Sequence, residues 1–296
     1  MNSYNDKEEK IIEMIESLIR NGVDAELIVS RFESKIFDLK KPELYFWFVK
    51  IVKGIGIESN EQRVINSGDP EWNYYFAKNV RGSDVKAHGQ VIKDSGDPEL
   101  NYKFARYIDG IDTKSNGHGK AVINSCDLEW NYKFARDIIG ADVRAHEQVI
   151  INSGDPEWNY KFARYIEGAD VRAHGQAIIN SGSLEWNYKF AKDIKGADVE
   201  AHERVIIKKG DPCYNYMFAR YVKGADVRAL GQAIINSGDP EWNYYFAGVK
   251  GADVKAHEQV VFKYGNQIES ELELLDNYLD DAMASEEKDA SKSMTK

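Results

Sequence analysis

Apolar residues recur along most of this chain in two alternating signatures. In residues 154–181 the first is Trp158, Phe162 and Ile166, flanked by Asn159 and Ala163, with Lys161 outside it. That spacing makes one face of a 3.6-residue helix. In the second, Val171, His174, Ala177 and Ile178 share a face, and Arg172, Gly175 and Gln176 are placed opposite. Small residues such as Ala173 and Ala177 let helices approach closely. Polar punctuation frames both. Asp155 is placed to cap the first helix, Pro156 suits its first turn, and Glu157 favours its positive end. Gly168 is expected to supply a left-handed C-terminal cap. Asp170 then caps the second helix and Gly182 ends it. The unit is predicted to be a hairpin of two helices, each about three turns long. Helices this short are marginal alone in water, so neighbours must hold them.

The unit recurs. Aligned on the glycine of "SGDP", copies begin at Lys40, Gly68, Gly96, Cys126, Gly154, Gly182, Gly210 and Gly238. The spacing is 28 residues except after Gly96, where it is 30, and after Gly238, where it is 27. The longer unit carries extra residues in "GIDTKSNGHGK" and the shorter one has lost a residue at "FAGVKG", both near the turn between helices. A 56-residue superperiod overlies this. Glu147, Gly175, Glu203, Gly231 and Glu258 alternate in one column, Asp137, Tyr165, Asp193 and Tyr221 in another, and Leu128, Pro156, Leu184 and Pro212 in a third. Repeats were therefore duplicated in pairs. The predicted fold is all-α, an α-solenoid of two-helix repeats with divergent capping helices at both ends. Its divisions are an N-terminal helical cap over residues 1–39, eight repeats over 40–264, an amphipathic helix over 265–284 and a disordered tail over 285–296. The amphipathic helix carries Ile268, Leu272, Leu275 and Leu279 on one stripe and acids on the other side.

Charge narrows the function. The net charge of −10 sits at the ends. Residues 1–39 carry nine acids and five bases, and residues 265–296 nine acids and three bases. The array between them is neutral, without the basic footprint of a nucleic-acid binder. No apolar run approaches a membrane span, and "MNSYNDKEEK" does not read as a signal peptide. The two cysteines, Cys126 and Cys213, fall at different points of different repeats, so no disulfide is expected and a reduced cytoplasm is the natural compartment.

Three columns could carry chemistry. All six histidines, His88, His118, His146, His174, His202 and His257, share one column. A metal ladder needs ligands about 2.0–2.3 Å from the ion, whereas equivalent residues on stacked helices lie about 8–10 Å apart. Leu230 and Asn60 also occupy this column, so it reads as a packing slot and no metal or other cofactor is expected. Asn73, Asn101, Asn131, Asn159, Asn187, Asn215 and Asn243 form a second column. Their amides either bond backbone in a neighbouring repeat or turn, making an internal ladder, or read a repetitive ligand; the ladder is favoured because buried polar groups need partners. The third is Tyr followed four residues later by Arg or Lys: Tyr74/Lys78, Tyr102/Arg106, Tyr132/Arg136, Tyr160/Arg164, Tyr188/Lys192 and Tyr216/Arg220. Such a stripe could stack bases and hold phosphates. It could equally be tyrosines packed at the helix flank, with the cations paired to nearby acids such as Glu99 and Glu157. The second reading is favoured because those acids cancel the positive field.

No G-x-x-x-x-G-K-[ST] loop, H-E-x-x-H motif or G-x-S-x-G elbow occurs, so no enzyme is expected. The two-helix units resemble the α-solenoid class that includes HEAT and tetratricopeptide arrays, although the period is shorter and the tetratricopeptide Trp-Leu-Gly pattern is missing. More closely, "SGDPEWNYKFARYIEGADVRAH" resembles tandem repeats of bacterial and bacteriophage proteins with "GDPE-YNYYFAR-VKGAD" units. This resemblance covers residues 40–264. It implies the fold and transfers no functional residue; its phage setting implies capture of a host protein. The expected function is thus a protein-binding scaffold in contact through Asp137, Tyr165, Asp193 and Tyr221 and the stripe Arg106, Arg136, Arg164, Lys192 and Arg220. Nucleic acid is the disfavoured alternative partner. A homodimer through the C-terminal helix is a further expectation.

Overall fold

The computed structural model describes residues 6–52, 57–108 and 117–293. Every regular element among them is a helix, and the fold is an α-solenoid of two-helix repeats. The chain divides into two compact units, residues 1–153 and 154–296. In the first, α1 (Asp6–Arg20) and α2 (Ala25–Asp38) pack on α3 (Pro42–Ile51). Four hairpins follow: α3 with α4 (Ile57–Ser67), α5 (Pro70–Asn79) with α6 (Val85–Ser95), α7 (Pro98–Tyr107) with α8 (His118–Ser125), and α9 (Leu128–Asp137) with α10 (Val143–Ser153). The second unit contains α11 (Pro156–Tyr165) with α12 (Val171–Ser181), α13 (Leu184–Asp193) with α14 (Val199–Lys209), α15 (Pro212–Tyr221) with α16 (Val227–Ser237), and α17 (Pro240–Ala247) with α18 (Val254–Ser293). Within each unit, first helices stack on first helices and second on second.

The local chemistry is repeated from hairpin to hairpin. The Asp155 carboxylate accepts the backbone N–H of Trp158 at 3.0 Å, and Pro156 occupies the first turn of α11. The helix then ends differently from the sequence expectation. Its C-cap is Ile166, in extended backbone, and Gly168, at φ 79°, lies two residues further on in the turn. The Ile166 side chain is buried there all the same. Asp170 caps α12 by accepting from Ala173, and Gly182 closes it at φ 66°. Two repeats lack glycine at the closing position. Among the described residues, Lys40 and Cys126 are the non-glycine residues with positive φ, at 54° and 56°.

One phenylalanine per first helix and one aliphatic residue per second helix build the core. Phe104, Phe134, Phe162, Phe190, Phe218 and Phe246 are fully buried, as are Ile92, Val122, Ile150, Ile178, Ile206 and Ile234. A buried phenylalanine of this size contributes roughly 2–3 kcal/mol by area, which explains how helices of 8–11 residues persist. Gly175 corrects the sequence reading. It is buried, not outward, and a Cβ there would stand 3.2 Å from the Phe190 ring of the next hairpin. The helical period placed it beside solvent, but the stacked neighbour covers it.

Where the sequence suggests a separate helix from residue 265 and a disordered tail from 285, a single helix runs unbroken from Val254 to Ser293. Gly265 causes no break: no proline or capping turn accompanies it, and the residues beyond are good helix formers. The insertion in "GIDTKSNGHGK" falls largely on residues 109–116, outside the described residues, as do residues 294–296 of the tail. Cys126 and Cys213 are free thiols. No helix among the described residues is long and apolar enough to cross a membrane.

Candidate interaction surface

The asparagine and histidine columns interlock inside the stack. Asn73 Nδ2 donates to the Val64 carbonyl of the preceding helix at 2.9 Å and to Asp69 O at 2.7 Å. Its Oδ1 meets His88 Nδ1 at 2.7 Å. One amide thereby ties its own helix start to the helices before and after it. The same triple contact recurs at Asn101 with His118, Asn131 with His146, Asn187 with His202 and Asn243 with His257. Asn159 meets His174 Nδ1 at 2.7 Å in the same way. Because Nδ2 faces two carbonyls, Oδ1 faces the imidazole, and Nδ1 carries the proton. Each ring also packs on its repeat's phenylalanine, with centroids 4.8–5.1 Å apart. Burial pushes His88, His118, His146, His174 and His202 down to about 4, and His257 in the same direction. They are neutral packing groups. No group of three or more His, Cys, Asp or Glu residues among the described residues could hold a metal ion.

The glutamate–glycine column sets how each hairpin meets the next. Glu61 Oε1 accepts the Asp84 backbone N–H and lies 3.2 Å from His88 Nε2, both in the following hairpin. Burial raises the Glu61 carboxyl and lowers His88. Glu203 Oε2 likewise accepts the Asp226 N–H at 2.8 Å, but there the histidine position holds Leu230. The missing imidazole leaves Asn215 Oδ1 buried without a hydrogen-bond partner. Where the column holds glycine, at Gly119 and Gly175, the following imidazole sits over it, and Nε2 of His146 and His202 has no hydrogen-bond partner.

The tyrosine–cation stripe lies on the first helices, and the structure assigns its polar atoms to contacts between repeats. The Tyr102 hydroxyl donates to Asp137 Oδ2 of the next hairpin at 2.7 Å. Asp137 also takes Arg136 Nε and Nη2 at 2.7 and 2.9 Å, and this pairing holds its carboxyl below the usual range. In the second unit Tyr160 donates to Asp193 at 2.8 Å, and Arg164 Nη1 stands 2.9 Å from the same oxygen. Burial first, and the acceptor acid second, push Tyr102 and Tyr160 up to about 12. At Tyr107 and Tyr221 of the alternating column the preceding repeat supplies a cation instead: Lys78 at 5.3 Å and Lys192 at 6.0 Å from the ring centroids. Arg220 lies over Tyr216 and Tyr221, and Arg106 adds positive field at Asp137. Asp137, Arg136, Arg164, Lys192 and Asp193 are thus engaged between or within repeats. The Asp–Tyr alternation was the sequence signal for this pairing; its register needed the stack.

Rings of the same band remain open. Tyr165 and Tyr221 are 57% and 51% exposed, and Tyr244 at the end of the band is 70% exposed. Outside them Lys161 and Lys189 lie over Trp158 and Trp186 while pairing with Glu157 and Glu185. On the second helices, shallow grooves recur. One, of about 430 Å³, is lined by Ile207, Ala229, Gln232 and Asn236. Another, of about 290 Å³, is lined by Lys93, Lys120, Ala121 and Asn124. The fold and this band define an α-solenoid of short hairpins with a tyrosine-rich first-helix face. No protein family, curated protein or solved structure matches the chain.

Proposed function

We propose that the chain is a binding scaffold for a protein partner, engaged through the first-helix face of residues 154–247. The observation that supports this is the set of open tyrosines on a helix-supported surface: Tyr165 and Tyr221, each beside an arginine of its own helix, and Tyr244 at the end of the band. Tyrosine offers large apolar area with a polar tip and little entropy to lose, and with arginine it dominates interface energetics. The rows are rigid because their neighbours are already bonded across repeats, so ordering costs on binding are small. The second reading, a nucleic-acid binder, draws on the same stripe. Against it, Arg136 and Arg164 are each paired with an aspartate, and the outer lysines with glutamates. Phosphate binding needs that charge free.

The test is retention of proteins from a nuclease-treated lysate by the wild-type chain and by the triple variant Tyr165→Ala, Tyr221→Ala, Tyr244→Ala. Proteins retained by the first and lost by the second are the expected result. Equal retention removes this face from the reading. Recovery that nuclease abolishes, falls steeply with salt and disappears when Arg106, Arg136, Arg164 and Arg220 are all changed to Gln assigns the stripe to nucleic acid instead.

A further inference from the structure

From Phe262 to Leu275 every residue of α18 is exposed. Most helical stability in proteins comes from packing an amphipathic face, and this stretch leaves such a face open: an apolar stripe of Ile268, Leu272 and Leu275, the last two 57% and 55% exposed. Helical spacing places Glu271 on one flank of that stripe and Glu269 on the other. At the opposite end of the sequence, α1 and α2 enclose an open apolar groove of about 220 Å³. Ile11, Met14 and Leu18 line it from α1, and Phe32, Ile36 and Leu39 from α2. Its rim has the other sign of charge. Lys35 lines the groove and Arg31 lies one turn before it. Lys7 and Lys10 stand one turn before Ile11 and Met14 on the groove side of α1, all four cations being exposed. Asp38 is the acid on this edge. The acids of α1 fall on its other faces, where Glu8 pairs with Lys41 at 3.1 Å.

We propose that the projecting part of α18 docks in the α1–α2 groove of a second copy of this chain, so that copies associate head to tail. The stripe matches the groove in apolar character, and Glu269 and Glu271 match Lys35, Lys10 and Arg31 in charge. Pairing of two α18 helices matches worse: residues 265–296 hold nine acids and three bases, and two such segments repel. The contact is heterologous, so it extends into rings or filaments instead of stopping at a pair. It is independent of the partner proposed for the tyrosine row.

The experiment is light scattering on the full chain over a range of concentrations, with the exposed substitutions Met14→Glu in the groove and Leu272→Glu on the stripe. The wild-type mass is expected to climb past a dimer as concentration rises and to fall with added salt. Each variant alone is expected to be monomeric with an unchanged helical spectrum. Mixed in equal amounts, the two are expected to form a one-to-one complex and nothing larger, because each retains one good end. The mixed complex also shows that both variants are folded. A wild-type chain that stays monomeric throughout overturns the proposal. So does a Met14→Glu variant that still dimerises, the mark of α18 pairing with itself, or a mixture that does not associate.

Discussion

A single missing imidazole shows what the histidines contribute. Leu230 leaves Asn215 Oδ1 buried and unpaired, while Glu203 waits beside the same slot with its carboxylate on the Asp226 N–H. Leu230→His would regain the Asn bond and place Nε2 toward Glu203, as His88 does toward Glu61. An unpaired buried acceptor costs about 1–3 kcal/mol, close to the apolar burial that leucine supplies. Urea denaturation is expected to place Leu230→His within about 1 kcal/mol of wild type, whereas His202→Leu, which strands Asn187 Oδ1, loses about 1–3 kcal/mol. A larger loss for the first than the second contradicts the assignment. Backbone strain makes a separate residue-level forecast. Lys40 and Cys126 occupy the left-handed conformation that glycine fills at Gly96, Gly154 and Gly182. A side chain there costs about 1 kcal/mol or more. Lys40→Gly and Cys126→Gly are each expected to raise the urea-unfolding free energy by up to about 1 kcal/mol after glycine's greater unfolded-state entropy is subtracted.

At the scale of the helix and its hairpin, partners across the repeat boundary decide the register. Tyr160, Arg164 and Asp193 form one such joint in the second unit. A double-mutant cycle with Tyr160→Phe and Asp193→Asn is expected to give a coupling of about 0.5–1.5 kcal/mol; additive losses place the two groups apart. The hairpins themselves were legible from the sequence because their signals are local. Asp155 and Asp170 mark the starts, Gly182 marks an end, and Phe162 and Ile178 mark the inner faces. The exit at Ile166 was not legible, since the helical period carries that residue onto the same face as Phe162 and nothing local shows the backbone extending there. Gly175 was misplaced for a related reason. One hairpin alone leaves it in solvent, and only the ring of Phe190 from the next hairpin covers it. The tyrosine stripe was visible as a column, but whether its hydroxyls and cations faced outward or bonded the next repeat depended on a stacking offset that periodicity does not encode.

For the molecule as a whole, the histidine column makes stability depend on pH. Five of its imidazoles are held down to about 4 by burial, against an ordinary value near 6.5. Between those values the unfolded chain binds protons that the folded chain refuses, so stability falls as pH falls from about 6.5 toward 4. Each histidine contributes up to about 1.4 kcal/mol per pH unit in that window. Asp137, held low by Arg136, adds to the loss at more acidic pH. Glu61 and Glu203, raised by burial, act in the opposite sense and offset part of it. Thermal denaturation followed by circular dichroism is expected to show a midpoint that drops steadily below pH 6.5 and little change from pH 7 to 8. A flat profile from pH 7 to pH 4.5 contradicts neutral, buried imidazoles.

The alternation of Asp with Tyr from Asp137 to Tyr221, and of Glu with Gly from Glu147 to Glu258, gives this part of the array a parity. A hairpin ending in Tyr160 and Arg164 is made to meet an acid, and one ending in Lys192 is made to meet an aromatic ring. Within that stretch, excising a single hairpin would set Tyr160 and Arg164 against a tyrosine and forfeit the bonds at that joint, while excising two keeps unlike kinds adjacent. On physical grounds, a length change of fifty-six residues therefore disturbs fewer joints than one of twenty-eight.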